Sequence, residues 1–197
     1  MRQRRKDQKR IGLLPRNRLR RRLGKCRRVV PRESHMVGAS QGACNPMTRV
    51  LLTGARGMLG TDLSRVLADL DLTATTKNDL NITDYGQVTE AVYGHDVVVN
   101  AAAYTAVDQA ENQPKLAFSI NADGPRYLAR AAAAHGVTLV HLSTDYVFDG
   151  RGTTPYPENA SRSPRSVYGR SKAAGEEAAL EENPNGTVIV RTAWLYG

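Results

Sequence analysis

The sequence places a tyrosine and a lysine four residues apart in Tyr168-Gly-Arg-Ser-Lys172. On a helix, positions i and i+4 share one face, so an ammonium can sit beside a phenol. A free phenol has a pKa of about 10, and a neighbouring cation favours its ionised form; the pair therefore predicts a tyrosine brought toward a useful proton-donor range. Upstream, an apolar run ends in Ser143-Thr144-Asp145. If that run is a strand whose carboxyl end lines a ligand crevice, Thr144 can hydrogen-bond the same substrate oxygen. Such a Tyr and Lys spacing also arises by chance on helix surfaces, and it gains weight from a second motif, Gly54-Ala55-Arg56-Gly57-Met58-Leu59-Gly60. There Gly54 permits a tight turn, Gly57 lets backbone amides approach a pyrophosphate, and Gly60 lets a helix pack close on a strand.

These groups need a scaffold, and the apolar pattern supplies one. Arg49-Val-Leu-Leu-Thr53 reads as a buried strand, followed at helical spacing by Leu59, Leu63, Val66, Leu67 and Leu70. A short second strand spans residues 72–75, and Thr83 is placed to cap a helix with Tyr85, Val88 and Val92 on its inner face. Asp96-Val-Val-Val-Asn100 is a third strand; helices follow over 114–120 and from Pro125 to a stop at His135-Gly136. A fourth strand over 138–143, a Pro-rich connection over 150–164, a helix over about 166–182 and a last strand over 187–192 complete the pattern. Continuous Val and Leu strands separated by helices specify an α/β fold, a doubly wound parallel sheet of Rossmann type.

Charge divides the chain. Residues 1–46 hold fifteen of the 28 Lys and Arg but two of the 19 Asp and Glu, a net +13, which leaves −4 for residues 47–197. The folding part is thus not a basic nucleic-acid-binding domain. The first 46 residues lack apolar periodicity and read as a disordered basic tail, serving as a binding arm or targeting peptide, or else as an over-long start ahead of Met36 or Met47. Both cysteines, Cys26 and Cys44, fall in that tail. With no thiol elsewhere and no run near the eighteen or so apolar residues of a membrane span, a cytoplasmic protein without membrane partners is expected. His95, His135 and His141 lack ligand spacing and read as surface or strand-end residues. The second strand ends Thr75-Thr76-Lys77 without the acid that would accept a ribose 2′-hydroxyl; Lys77 and Arg56 favour a 2′-phosphate, hence NADPH, with NADH as the alternative.

The glycine loop, Asn100-Ala-Ala-Ala103, and the set Thr144, Tyr168 and Lys172 resemble the extended short-chain dehydrogenase/reductases. More narrowly, Asn100-Ala-Ala-Ala-Tyr-Thr-Ala-Val-Asp108, Glu111, Ser143-Thr-Asp-Tyr-Val-Phe-Asp-Gly150 and Arg191-Thr-Ala-Trp-Leu-Tyr196 resemble the dTDP-4-dehydrorhamnose reductase family, from about residue 49 to 197. The resemblance implies that Gly57, Met58 and Leu59 touch the cofactor pyrophosphate. It assigns Ala102, Ala103 and Tyr104 to the ribose and nicotinamide, and Tyr168 and Lys172 to the nicotinamide ribose. Thr144, Asp145 and Trp194 match positions that contact the sugar nucleotide. Near the adenine, the family's Leu-Asp-Ile-Thr reads Leu80-Asn81-Ile82-Thr83, so Asn81 keeps a hydrogen-bonding side chain without the charge and Ile82 is retained.

The implied reaction delivers hydride to the C4 ketone of a dTDP-4-keto-6-deoxy sugar, yielding dTDP-L-rhamnose, with Tyr168 giving the proton and Thr144 steadying the oxyanion. The resemblance also leaves room for a homodimer. It implies a C-terminally shortened chain, lacking most of the substrate domain and only weakly active. No metal is expected: Asp62 matches an acid that holds magnesium in some members, but it reads instead as a helix N-terminal acid facing the dipole. The rival readings are a non-catalytic dinucleotide-binding subunit, as in the beta subunit of methionine adenosyltransferase, and another nucleotide-sugar reductase or epimerase.

Overall fold

Five apolar runs become five strands, β1 (Arg49–Thr53), β2 (Asp71–Thr75), β3 (Val97–Asn100), β4 (Thr138–Thr144) and β5 (Thr187–Thr192). In the computed structural model, which describes residues 47–195, they form one sheet in the order β2-β1-β3-β4-β5, parallel throughout. The basic segment 1–46, with its expected disorder, lies outside the described residues. Parallel neighbours cannot be joined by tight hairpins, so helices carry each crossover. These are α1 (Met58–Val66), α2 (Tyr85–Val92), α3 (Val107–Asn112), α4 (Pro114–Phe118), α5 (Gly124–His135) and α6 (Val167–Glu182). The sheet grows from β1 toward β2 on one side and toward β3 on the other. Loops leaving the carboxyl ends of β1 and β3 therefore part in opposite directions, and a crevice opens between them.

Alternation along the strands sorts two cores. Leu51, Val98 and Leu139 meet Val88 and Val92 of α2, Leu128 of α5 and Ala179 of α6. On the other face Val50, Leu52, Val97 and Val99 meet Leu63 of α1 and Leu67 just beyond it. Apolar residues on both faces of a strand require helices on both sides, which is the doubly wound arrangement the sequence predicts. Among the described residues, no helix is long and apolar enough to cross a membrane.

Three local expectations change. Thr83 does not cap α2: Asp84 does, accepting from the Gly86 and Gln87 N–H groups at 2.9 and 3.2 Å, while the Thr83 hydroxyl donates to Asn81 Oδ1 at 2.8 Å. A carboxylate is the stronger acceptor for uncompensated N–H groups, and Asp84 stands one residue nearer the first turn. Tyr85 is not an inner-face residue, for its ring is exposed, tilted against Tyr127 and lying under Arg130. The helices over 114–120 and from Pro125 are one continuous body, α4 passing through a π-helical turn, Ser119–Asp123, into α5. Pro125, which has no N–H to give, falls just after that turn, where the ladder has shifted to the i to i+5 pairing of the Gly124 N–H with the Ser119 carbonyl.

Asp84→Ala should lower the free energy of unfolding by about 1 kcal/mol in denaturant titration. Thr83→Ala should cost clearly less, and the reverse ranking would contradict the observed cap.

Candidate active site

Parallel register sets Thr53 beside Asn100 and Asn100 beside His141, one row that joins the carboxyl ends of β1 and β3 to the middle of β4. Asn100 Oδ1 accepts from the Thr53 hydroxyl at 2.7 Å and from the Ala102 N–H at 3.2 Å. Its amide nitrogen must then donate to His141 Nδ1, 3.0 Å away, which makes His141 a neutral imidazole protonated on Nε2. Burial pushes the imidazole well below its ordinary value, and the Lys172 charge acts in the same direction. His141 is therefore neither a surface nor a strand-end residue as expected. It is fully buried, because its strand position faces the helices rather than solvent.

This row holds the loop after β3 against the glycine loop. Gly54 has φ +74°, and a Cβ there would stand 2.6 Å from the Ala102 nitrogen. A Cβ at Gly60 would overlap the Gly54 carbonyl. At the start of α1, Gly57 is the N-cap and no side chain caps it, so the first-turn N–H groups at Met58 and Leu59 face outward for an anion. That cradle fits a dinucleotide pyrophosphate. Ala102, Ala103 and Tyr104 follow at the end of β3, half-buried along the same crevice.

Tyr168 reaches the crevice from the first turn of α6. The Ser166 hydroxyl accepts from the Gly169 N–H at 3.0 Å, and Glu111 of α3 accepts from the Val167 N–H at 2.7 Å, so two acceptors fix that helix end. A cavity of about 210 Å³ is lined by Ser143, Thr144, Asp145, Tyr146, Tyr168 and Trp194, among others. Thr144 donates to Asp145 Oδ1 at 3.1 Å and accepts from the Tyr146 N–H at 3.2 Å. Trp194 stands at the rim, 81 % exposed, with its backbone in the left-handed region at φ 54°.

The phenol and the ammonium do not meet as the helical spacing suggests. Lys172, 2 % exposed, donates to the Leu142 carbonyl at 2.6 Å, and no hydrogen bond joins it to Tyr168. Burial lowers its pKa to about 8. Burial raises that of Tyr168, a hydrogen bond with Thr144 opposes the rise, and Asp145 adds to it. The phenol thus keeps its proton at neutral pH, contrary to the expected depression. Sharing a helix face brings the two side chains to the same side of α6, but the lysine stem runs on to β4 while the shorter phenol stops at the cavity.

Other expected residues divide. Ile82 is buried in the core between α2 and α5, and Asn81 Oδ1 is engaged by the Thr83 N–H and hydroxyl, at 3.1 and 2.8 Å. Asp62 is not in the first turn of α1 and pairs instead with Arg65 at 3.2 Å, so the dipole reading does not hold. Among the described residues, no three or more His, Cys, Asp or Glu side chains gather as a metal ion would need. Although no acid ends β2, Asp79 folds back there, its Oδ2 accepting from the Thr76 N–H at 2.8 Å and hydroxyl at 2.6 Å, with Arg56 near enough to stabilise its charge. Sequence reasoning also missed Asn121. In the π-helical turn, its amide accepts from the Tyr104 N–H (2.8 Å) and donates to the Tyr104 carbonyl (3.0 Å) and to Ser171 Oγ (3.0 Å). The available signal was an asparagine inside a helical stretch, where its side chain competes with the backbone ladder.

The family profile described as RmlD substrate binding domain matches residues 47–197. The dTDP-4-dehydrorhamnose reductase of Streptomyces griseus is 52% identical over 156 residues, covering 77% of this chain and 51% of that protein. The dTDP-4-keto-6-deoxy-D-glucose reductase of Streptomyces niveus is 48% identical over 153 residues, 76% of this chain and 53% of its own. A crystal structure of dTDP-4-dehydrorhamnose reductase from Bacillus anthracis in complex with NADP superposes with a TM-score of 0.74 at 42% identity, covering 76% of this chain and 54% of that one. This chain spans about half the length of the curated relatives it matches. With the profile matching residues 47–197, well over half of the chain, the chain belongs to the RmlD substrate binding domain family.

Proposed function

We propose that this chain carries the cofactor and catalytic half of an NADPH-dependent reductase acting on the C4 ketone of dTDP-4-dehydro-6-deoxy-L-mannose. The observation that carries the reading is the meeting of Thr144 and the protonated Tyr168 at one cavity, with Lys172 buried behind them. The Bacillus anthracis relative's complex with NADP and the names of the Streptomyces relatives support it. Residues 47–197 would form the dinucleotide-binding domain.

When bound, the reduced nicotinamide supplies hydride. The chain's own residues bind and orient. The uncapped amides at Met58 and Leu59, with Gly54, Gly57 and Gly60 letting backbone approach, would hold the pyrophosphate. Ala102, Ala103 and Tyr104 would line the ribose and nicotinamide, the Tyr104 backbone being clamped by Asn121. Asn81 and the backbone of Ile82 would border the adenine. Tyr168 Oη holds the proton destined for the carbonyl oxygen, and Thr144 Oγ1 lies beside it to stabilise charge developing there. Lys172 would add positive charge near the ribose, and Asp145 and Trp194 would bound the sugar. Since the Streptomyces niveus relative is named for a different 4-keto sugar, a second substrate, dTDP-4-keto-6-deoxy-D-glucose, belongs in the same assay.

Oxidation of NADPH with each dTDP-4-keto sugar, followed by loss of nicotinamide absorbance, tests the reading. Tyr168→Phe should slow it by about 10²- to 10⁴-fold while NADPH still binds. Equal rates in the two proteins, or no binding of NADPH to either, would remove the assignment. Asp79→Asn takes a negative charge from the end of β2 and should raise the ratio of NADPH to NADH affinity severalfold in fluorescence titrations; an unchanged ratio would place the ribose elsewhere.

A further inference from the structure

One turn beyond Lys172, α6 carries a carboxylate fully withdrawn from solvent, Glu176. Arg191 of β5 donates to it twice, Nε to Oε1 at 2.8 Å and Nη2 to Oε2 at 2.6 Å. Arg162, from the connection between β4 and α6, donates to Oε2 at 3.3 Å. Arg191 also donates to the Glu158 carbonyl at 3.0 Å, and its guanidinium lies 5.1 Å from the centre of the Phe148 ring. Phe148 stacks on Tyr156 at 4.3 Å, and the Tyr156 hydroxyl donates to Asp149 at 2.7 Å. Contacts from both ends of the segment 148–162 thus converge on one buried carboxylate. That segment adjoins the cavity through Thr144, Asp145 and Tyr146. The same carboxylate lies at i+4 from Lys172 on the buried face of the helix.

We propose that Glu176 is a positioning residue: through Arg191 and Arg162 it holds the 148–162 segment beside the cavity, and through its own charge it keeps Lys172 cationic in the interior. Three further groups surround this pair: neutral His141 on β4, Arg191 on β5 and Arg162 on the connection, with Tyr168 and Asp145 toward the cavity. Burial opposes the lysine's charge, Glu176 supports it, and the balance leaves Lys172 at about 8. The carboxylate itself stays ionised, burial being outweighed by the arginine contacts. What the lysine does in turnover rests on the reductase reading; its charge can be read without substrate.

The test is an NMR titration of the full chain with lysine Cε labelled by ¹³C, from about pH 6 to about pH 11, Lys172 being assigned by its loss in Lys172→Met. The Lys172 midpoint should lie near 8, apart from the other lysines. Glu176→Gln keeps volume and an acceptor while removing the charge, and should move that midpoint down by about one pH unit or more. A carboxylate with only a structural role would act the opposite way: its loss would loosen and hydrate the site and carry Lys172 upward toward its ordinary value. An upward or absent shift therefore overturns the proposal. If Glu176→Gln does not fold, Glu176→Asp decides: faster amide exchange over 148–162 with the Lys172 midpoint held near 8 by the retained charge supports the proposal, whereas unchanged exchange, or a midpoint carried upward toward the ordinary lysine value, overturns it. A chain that fails to oxidise NADPH leaves this titration interpretable, so the two ideas fail separately.

Discussion

Burying a lysine and a glutamate on one face of α6 is the constraint around which the site is built. An isolated ammonium or carboxylate in an apolar interior is costly, and such groups persist only when paired and hydrogen-bonded. Lys172 meets the Leu142 carbonyl, and Glu176 meets two guanidiniums from different parts of the chain. Satisfying the pair thus recruits β4, β5 and the connection between β4 and α6. The polar surroundings of the cavity and the packing of the last strand are consequences of one helix face.

A second polar row performs a comparable task at the crevice. The parallel register aligns Thr53, Asn100 and His141, and two donors on Asn100 Oδ1 leave its amide nitrogen one role, donation to the histidine. The Ala102 N–H belongs to the same set, so the backbone lining the crevice is tied to the sheet interior. Gly54 then rests against Ala102 with no room for a Cβ. Two loops that diverge from neighbouring strands are thereby held at a fixed separation. A ligand binding across them meets a surface already organised, and little ordering remains to be done on binding.

Protonation follows from depth more than from neighbours along the helix. Tyr168 stops at the cavity wall, where burial favours the neutral phenol, whereas Lys172 passes under the strand end and its pKa is lowered by the same effect. Desolvation disfavours the charged form in both, and so drives the two values apart, the phenol's up and the lysine's down. An i to i+4 spacing states that two side chains share a face and leaves open whether their ends touch. Chain length and the position of the Leu142 carbonyl answer that here.

The fold and the principal motifs were legible in the sequence because they are local. Apolar runs and helical spacing placed the five strands and the helices around them to within a residue or two, apart from the end of α1, where the spacing ran on to Leu70 but the helix stops at Val66, and the short α3, which has too few residues to show a period. The tight turn and close packing of the glycine loop were legible in its own seven residues. The roles of His141, Glu176, Arg191, Asn121 and Asp79 were not legible, since each depends on a partner brought near by strand register, crossover or loop return. Residue types and spacing by themselves determined the parallel α/β scaffold and the residues gathered at its crevice. Tertiary structure alone decided which side chains are buried, which ends meet and which charges persist, because desolvation and hydrogen-bond partners exist only once distant segments are packed together.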